Sequence, residues 1–171
     1  TLTVTDNEGA AGSDITDAVI SSDGGDLELA FTDFESGWGI WTDGGGDCSL
    51  YTSGNNAYSG QNAANIQDNS GISSSFYLTD GIDVHNPGFV QIELEFHFYA
   101  VSMETGEDFL IQYFDGTNWH SIASYKRGTD FENYAFYNVK LIIDETNYNF
   151  PTNMKIRFMC DASGNRDDVY I

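Results

Sequence analysis

The chain has 171 residues, enough for one domain with a sizeable core. Its 27 acidic residues against 6 basic ones leave a formal charge of -21, which repels phosphate and so excludes nucleic acid and anionic membrane surfaces as partners. Aromatic residues make up 15% and glycine is frequent at 18 residues, a balance that favours an all-β chain. No stretch reaches the roughly 18–20 apolar residues of a membrane-spanning helix.

Residues 1–5 alternate as a short strand, Asp6-Asn-Glu-Gly9 makes a turn, and residues 14–22 read as a returning strand. The N-terminus carries no basic, apolar leader, as expected of a mature secreted product or of a piece of a longer chain. After the turn residues 21–26, strands are expected over 27–31, 49–53, 63–67 and 73–78. The clearest period-two pattern is Val90-Gln-Ile-Glu-Leu-Glu-Phe-His-Phe98, which buries one face of a sheet and leaves Glu93, Glu95 and His97 on the other. Strands over 109–114 and 119–125 are joined by Asp115-Gly-Thr-Asn118, whose Asp-Gly suits a tight hairpin. Residues 134–143 form a long strand with Tyr137, Val139, Leu141 and Ile143 on one face. The strand 154–160 turns Met154, Ile156, Phe158 and Cys160 inward. Short strands separated by glycine-rich turns imply an all-β, two-sheet antiparallel sandwich of the jelly-roll type.

Two segments concentrate unusual residues. Trp38-Gly-Ile-Trp-Thr-Asp-Gly-Gly-Gly-Asp-Cys48 and Cys160-Asp-Ala-Ser-Gly-Asn-Arg-Asp-Asp168 each set a cysteine at the end of a glycine-bearing acidic loop. A Cys48–Cys160 disulfide would bring both loops together and close a loop of roughly 110 residues, worth about 4–5 kcal/mol in chain-entropy terms. The alternative is two buried thiols. Aspartates in flexible loops suit calcium, which takes six to eight oxygen ligands. Asp43, Asp47, Asp161, Asn165 and Asp167 form one candidate set, although turn aspartates also cap their own backbone.

The order of these motifs carries two resemblances. Leu2 to Ala10 resembles the last hairpin of the Ig-like repeat named for polycystic kidney disease, which implies a module boundary: residues 1–25 as an N-terminal hairpin or the end of a preceding module, and 26–171 as the main sandwich. Asp33-Phe-Glu35, the Trp-x-Asp-Gly-Gly-Gly-Asp-Cys loop, the Asp-Gly-Thr-Asn-Trp hairpin and the closing Cys-Asp-Ala-Ser-Gly-Asn-x-Asp-Asp-Val-Tyr-Ile together resemble bacterial MAM-like jelly-roll modules over residues 31–171. That family is similar in fold to carbohydrate-binding modules and accompanies secreted proteases, polysaccharide-degrading enzymes and adhesins. The resemblance implies a second calcium set, Asp33, Glu35 and Asp168, and a secreted or cell-surface location.

Catalytic patterns are missing. His85, His97 and His120 have no metal-binding spacing, no Gly-x-Ser-x-Gly elbow occurs, and Glu93 and Glu95 share one strand face rather than opposing one another across a cleft. The expectation is a non-enzymatic, calcium-stabilised module that binds a polysaccharide or cell-surface glycan. Tyr58, in a loop with Asn55, Asn56, Gln61 and Asn62, is the leading ligand contact, with Trp38 and Trp119 as further stacking platforms. The alternative is a protein-interaction or filament-forming module that joins other domains or subunits through its N-terminal strand.

Overall fold

The computed structural model describes residues 19–22 and 27–171. The polycystic-kidney-disease-like stretch, and most of the segment on which strand exchange would depend, lie outside these residues. In chain order the strands are β1 (Val19–Ser22), β2 (Leu27–Ala30), β3 (Trp41–Asp43), β4 (Cys48–Tyr51), β5 (Ala63–Gln67), β6 (Ser75–Leu78), β7 (Gln91–Val101), β8 (Asp108–Phe114), β9 (Trp119–Lys126), β10 (Phe136–Asp144), β11 (Lys155–Asp161) and β12 (Asp168–Tyr170). One 3-10 turn, Gly71–Ser74, precedes β6.

All strand ladders are antiparallel and form two sheets. A seven-stranded sheet runs β2-β1-β7-β12-β5-β4, with β10 on the free edge of β7, and a five-stranded sheet runs β3-β6-β11-β8-β9. The chain is an all-β antiparallel sandwich, as its turn spacing and alternation imply. β7 organises the larger sheet because its eleven residues serve three partners. β10 covers one edge from Gln91 to Tyr99. The other edge is divided between β1, opposite Ile92 to Glu95, and β12, opposite Tyr99 to Val101. Residues 19–22 are thus a strand of the main sheet.

The core lies between the sheets, where the period-two pattern places it. Ile92, Leu94, Phe96, Phe98 and Ala100 of β7 face Ile156, Phe158 and Cys160 of β11 and Phe109, Ile111 and Tyr113 of β8, all essentially buried. Across the gap Phe96 meets Phe158 with ring centroids 5.0 Å apart, and Phe98 meets Phe109 at 4.8 Å. Each fully buried phenylalanine contributes about 1.5–3 kcal/mol through lost apolar exposure.

The Trp38–Cys48 segment is a packing device. Trp41 is 3% exposed and meets Phe76 at 5.2 Å and Phe158 at 5.9 Å; this pull into the core makes a strand of three residues that read as loop. Gly44 then lies against the 3-10 turn, its N–H donating to Ser75 O at 2.9 Å. A Cβ at Gly44 would collide with the carbonyl oxygens of Ile72 and Ser75, which explains a glycine here without any ligand.

Cys48 and Cys160 are both buried as free thiols, and the bridge expected between them is not formed. Cys48 sits on β4 opposite Ile66, whereas Cys160 belongs to the other sheet, opposite Phe109, with its thiol directed at Asp167 O. Burial pushes both thiols up to about 12.

Candidate functional site

The face of β7 opposite the core carries Glu93, Glu95, His97 and Tyr99. The register with β10 places Ile142, Lys140, Asn138 and Phe136 beside them in turn. Lys140 Nζ donates to Glu93 Oε1 at 2.7 Å and pairs with Glu95 Oε2 at 3.1 Å. Asn138 Nδ2 donates to Glu95 Oε1 at 2.9 Å and lies 3.0 Å from His97 Nε2. This face reads as solvated from its sequence, yet Glu95 is only 4% exposed and His97 8%. Burial pushes Glu95 up, but hydrogen bonds from Asn138 and Lys140 outweigh it and hold the carboxyl below the ordinary range.

His97 responds in the opposite sense. Burial holds it below the ordinary imidazole range, against the pull of Glu95, so the ring is neutral near pH 7. With Asn138 as donor to Nε2, the remaining proton belongs on Nδ1, which is buried and has no hydrogen-bond partner among the described residues.

The cover over His97 comes from the Gly54–Gly60 loop. Gly54, at φ 78°, donates its N–H to Gln61 O at 2.9 Å and closes the loop on itself. Glu35 Oε1 then accepts the N–H groups of Gln61 and Asn62, each at 2.8 Å, and Asn62 Nδ2 donates to Phe34 O at 3.0 Å. Anchored in this way, the loop lays Tyr58 flat on His97, with centroids 3.7 Å apart and planes inclined by 11°. The edge of Phe136 meets Tyr58 at 5.5 Å, and Tyr99 packs on Phe136 at 4.7 Å. Tyr58 and Phe136 remain 45% and 41% exposed. Asp33, Asn56, Ser59 and Tyr170 complete the rim of the cleft that these rings border. Burial, with the Asp168 charge, pushes Tyr170 up to about 12, so it stays a hydroxyl; the Asn56 side chain reaches it.

At the entrance to β10, Tyr134 is 65% exposed and adopts a φ of 67°. A bulky residue rarely holds such a backbone. Its N–H is tied to Ala100 O at 2.9 Å, so a strained position displays a third aromatic ring near the same strand end. The arrangement offers exposed aromatic faces beside amide, hydroxyl and charged groups on a rigid sheet.

Tyr58 and Asn56, both expected as ligand contacts, line this cleft. Asn55 and Gln61 are exposed in the same loop, but Gln61 turns its amide to Gly60 O. Trp38 and Trp119 do not join them. Trp38 packs against Phe34 and Phe76 at the core margin. Trp119 lies on the outer side of the smaller sheet, with the Arg157 guanidinium 4.1 Å over its ring. His97, Tyr99, Phe136 and Asn138 were not foreseen as a group, because only the β7–β10 register aligns them.

The acidic residues distribute differently from either expected calcium set. Asp33 Oδ1 accepts the Glu35 N–H at 3.0 Å, Asp43 Oδ1 the Gly45 N–H at 2.8 Å, and Asp47 Oδ2 the Ser70 hydroxyl at 2.5 Å. Asp168 takes Asn65 Nδ2 at 3.0 Å, and Asp161 is exposed at the end of β11. Among the described residues neither set gathers three carboxylates: Asp33 and Asp43 cap N–H groups of their own turns, while Asp47 and Asp168 are taken up by side chains from distant segments. Among the described residues Glu104, Glu107 and Asp167 do converge, with one oxygen of each within 4.8 Å of the others. Of these, only Asp167 belongs to a set read from the sequence.

The sequence matches no protein-family model and no curated protein. Solved structures, however, match most of the chain. A family 16 carbohydrate-binding module has a TM-score of 0.51 at 12% identity, covering 83% of this chain and 93% of that one. The C-terminal family 22 carbohydrate-binding module of Clostridium thermocellum Xyn10B has a TM-score of 0.52 at 16% identity, covering 81% and 85%. The CBM22-1 xylan-binding domain of Paenibacillus barcinonensis Xyn10C has 0.52 at 14%, covering 93% and 92%. The chain shares the fold of carbohydrate-binding modules. At these identities the likeness establishes the sandwich and leaves the ligand to the chemistry of the cleft.

Proposed function

We propose that this chain is a non-catalytic module that binds a polysaccharide along the outer face of its seven-stranded sheet. The observation that carries this reading is the half-exposed pair Tyr58 and Phe136, held by fixed contacts next to the row Asn138, Lys140 and Glu93. A sugar ring presents C–H bonds on its faces and hydroxyls around its rim. Aromatic faces take the first, while amides, carboxylates and ammonium groups bond the second. The solved structures sharing the fold are carbohydrate-binding modules, one of them named for xylan, which makes a plant-type β-glycan the first ligand to try. Among the described residues no helix is long and apolar enough to cross a membrane. A glycan-binding role places the module at the cell surface or in the medium, within a larger protein.

The test is affinity electrophoresis through gels containing xylan, galactan or amorphous cellulose. The wild-type chain is retarded by at least one of them, and Phe136→Ala migrates freely. Trp119→Ala, altered on the other side of the sandwich, is retarded like wild type. If Trp119→Ala abolishes retardation while Phe136→Ala does not, the ligand lies on the smaller sheet and this assignment fails.

A further inference from the structure

The β7–β8 and β11–β12 loops are forced together by two ladders at once. Val101, where the first loop begins, lies opposite Asp168, where the second ends. Asp108, where the first ends, lies opposite Asp161, where the second begins. Residues 102–107 and 162–167 therefore stack at one end of the sandwich. Within the first loop Gly106, at φ 100°, permits a turn in which the Glu104 N–H donates to Glu107 Oε2 at 2.7 Å. Across the gap the Ser163 N–H donates to Glu107 Oε1 at 2.7 Å, and the Ser163 hydroxyl lies 3.3 Å from Glu104 Oε2. These contacts aim Glu104 and Glu107 at Asp167.

Asp167 is the anomaly. It is 6% exposed, among the described residues no side chain donates a hydrogen bond to its carboxylate, and the charged side chains that act on it, Glu107, Glu104 and Asp168, are all negative. The Gly164 N–H of its own turn leans toward it. Neither nearby basic side chain compensates: Arg166, the preceding residue, is exposed and is not among the charges acting on Asp167. Arg127, whose backbone N–H reaches Glu107 O, turns its guanidinium to Thr105 and to Glu132. A buried carboxylate facing two others without a cation is unfavourable in a folded protein. A cation bound between the three carboxylates would offset that cost.

We propose that Glu104, Glu107 and Asp167 form a binding site for a divalent cation of the calcium type. Three carboxylate oxygens within 4.8 Å of one another can surround one ion at the roughly 2.3–2.6 Å of calcium–oxygen bonds, with water and loop carbonyls filling the remaining positions. The donors are all oxygen, which suits a hard cation rather than zinc or copper. The bound ion clamps the β7–β8 loop to the β11–β12 loop and so stabilises the sandwich. The site is separate from the glycan face and does not depend on that reading.

The experiment is calcium chloride titration of the whole chain by calorimetry, with thermal melts in excess calcium and in EGTA. Calcium binds with measurable heat and raises the melting temperature of the wild type. Glu104→Gln and Asp167→Asn each weaken binding on the order of tenfold or more and remove the calcium-dependent shift. Asp167→Asn in EGTA melts no lower than the wild type in EGTA, because a buried uncompensated charge has been removed. Asp33→Asn keeps the shift. Wild-type melts that coincide in calcium and EGTA overturn the proposal, as does a shift that survives in both Glu104→Gln and Asp167→Asn.

Discussion

The Tyr58 ring lies flat on the His97 imidazole, 3.7 Å between centroids and 11° between planes, joining a loop to the middle of β7. This contact both covers a buried imidazole and holds an aromatic ring half exposed. Tyr58→Ala removes the cover and the stacking together. The expected result is a loss of about 0.5–1.5 kcal/mol from the ring contact, read in denaturant melts, with weaker retardation in the glycan gel that supports wild-type binding. Tyr58→Phe keeps the ring and restores the melt; an alanine variant as stable as wild type contradicts the contact.

Acidification is expected to weaken the same region. His97 has a folded pKa below its unfolded value, mainly because of burial, so the unfolded chain binds the extra proton first. Stability therefore falls as pH drops from about 6.5 through the lower folded value. The charged imidazole would face Glu95, which favours it, but would also direct a second N–H at the Asn138 amide and lie near Lys140. His97→Gln should flatten the pH dependence of the midpoint over this window. An unchanged slope in that variant would assign the effect to other groups.

The two cysteines are expected to be silent in the native state. Burial pushes both thiols up to about 12, leaving negligible thiolate at pH 8. A thiol-reactive chromophore should label no cysteine in the folded chain and both after denaturation without reductant. Failure to label either cysteine after denaturation would show that they are bonded.

Two neighbouring glycines differ in what they tolerate. A Cβ at Gly44 strikes the Ile72 and Ser75 carbonyl oxygens, whereas one at Gly46 meets nothing within 4 Å. Gly44→Ala should lower stability by about 1–3 kcal/mol, as overpacking does, and Gly46→Ala by far less. Equal melts for the two variants would remove the packing explanation for this glycine run.

Much of this molecule follows from local pattern. The alternation along Val90–Phe98 and Met154–Cys160 identifies the residues that face the core, because a strand turns successive side chains to opposite faces. Residues 63–67 and the Asp115–Asn118 hairpin appear where turn chemistry and β-forming residues place them. The three-residue strand Trp41–Asp43 was hidden, since glycine-rich flanks read as loop and only Phe76 and Phe158, far along the chain, draw Trp41 inward. Tyr58 was legible as a loop aromatic among amides, but its partner His97 was not, because alternation assigns that histidine to solvent until a loop some forty residues earlier folds over it.

By itself, then, the sequence determined the all-β class, the inward faces of the long strands and the strong negative charge, all of which depend on residues close together in the chain. Tertiary structure alone decided which polar residues meet. Strand register between β7 and β10 assembled the aromatic and amide row. The paired ladders at Val101/Asp168 and Asp108/Asp161 brought Glu104 and Glu107 against Asp167. The physical reason is that a carboxylate or an aromatic ring has no local preference strong enough to name its partner; that choice belongs to the long-range pairing of strands.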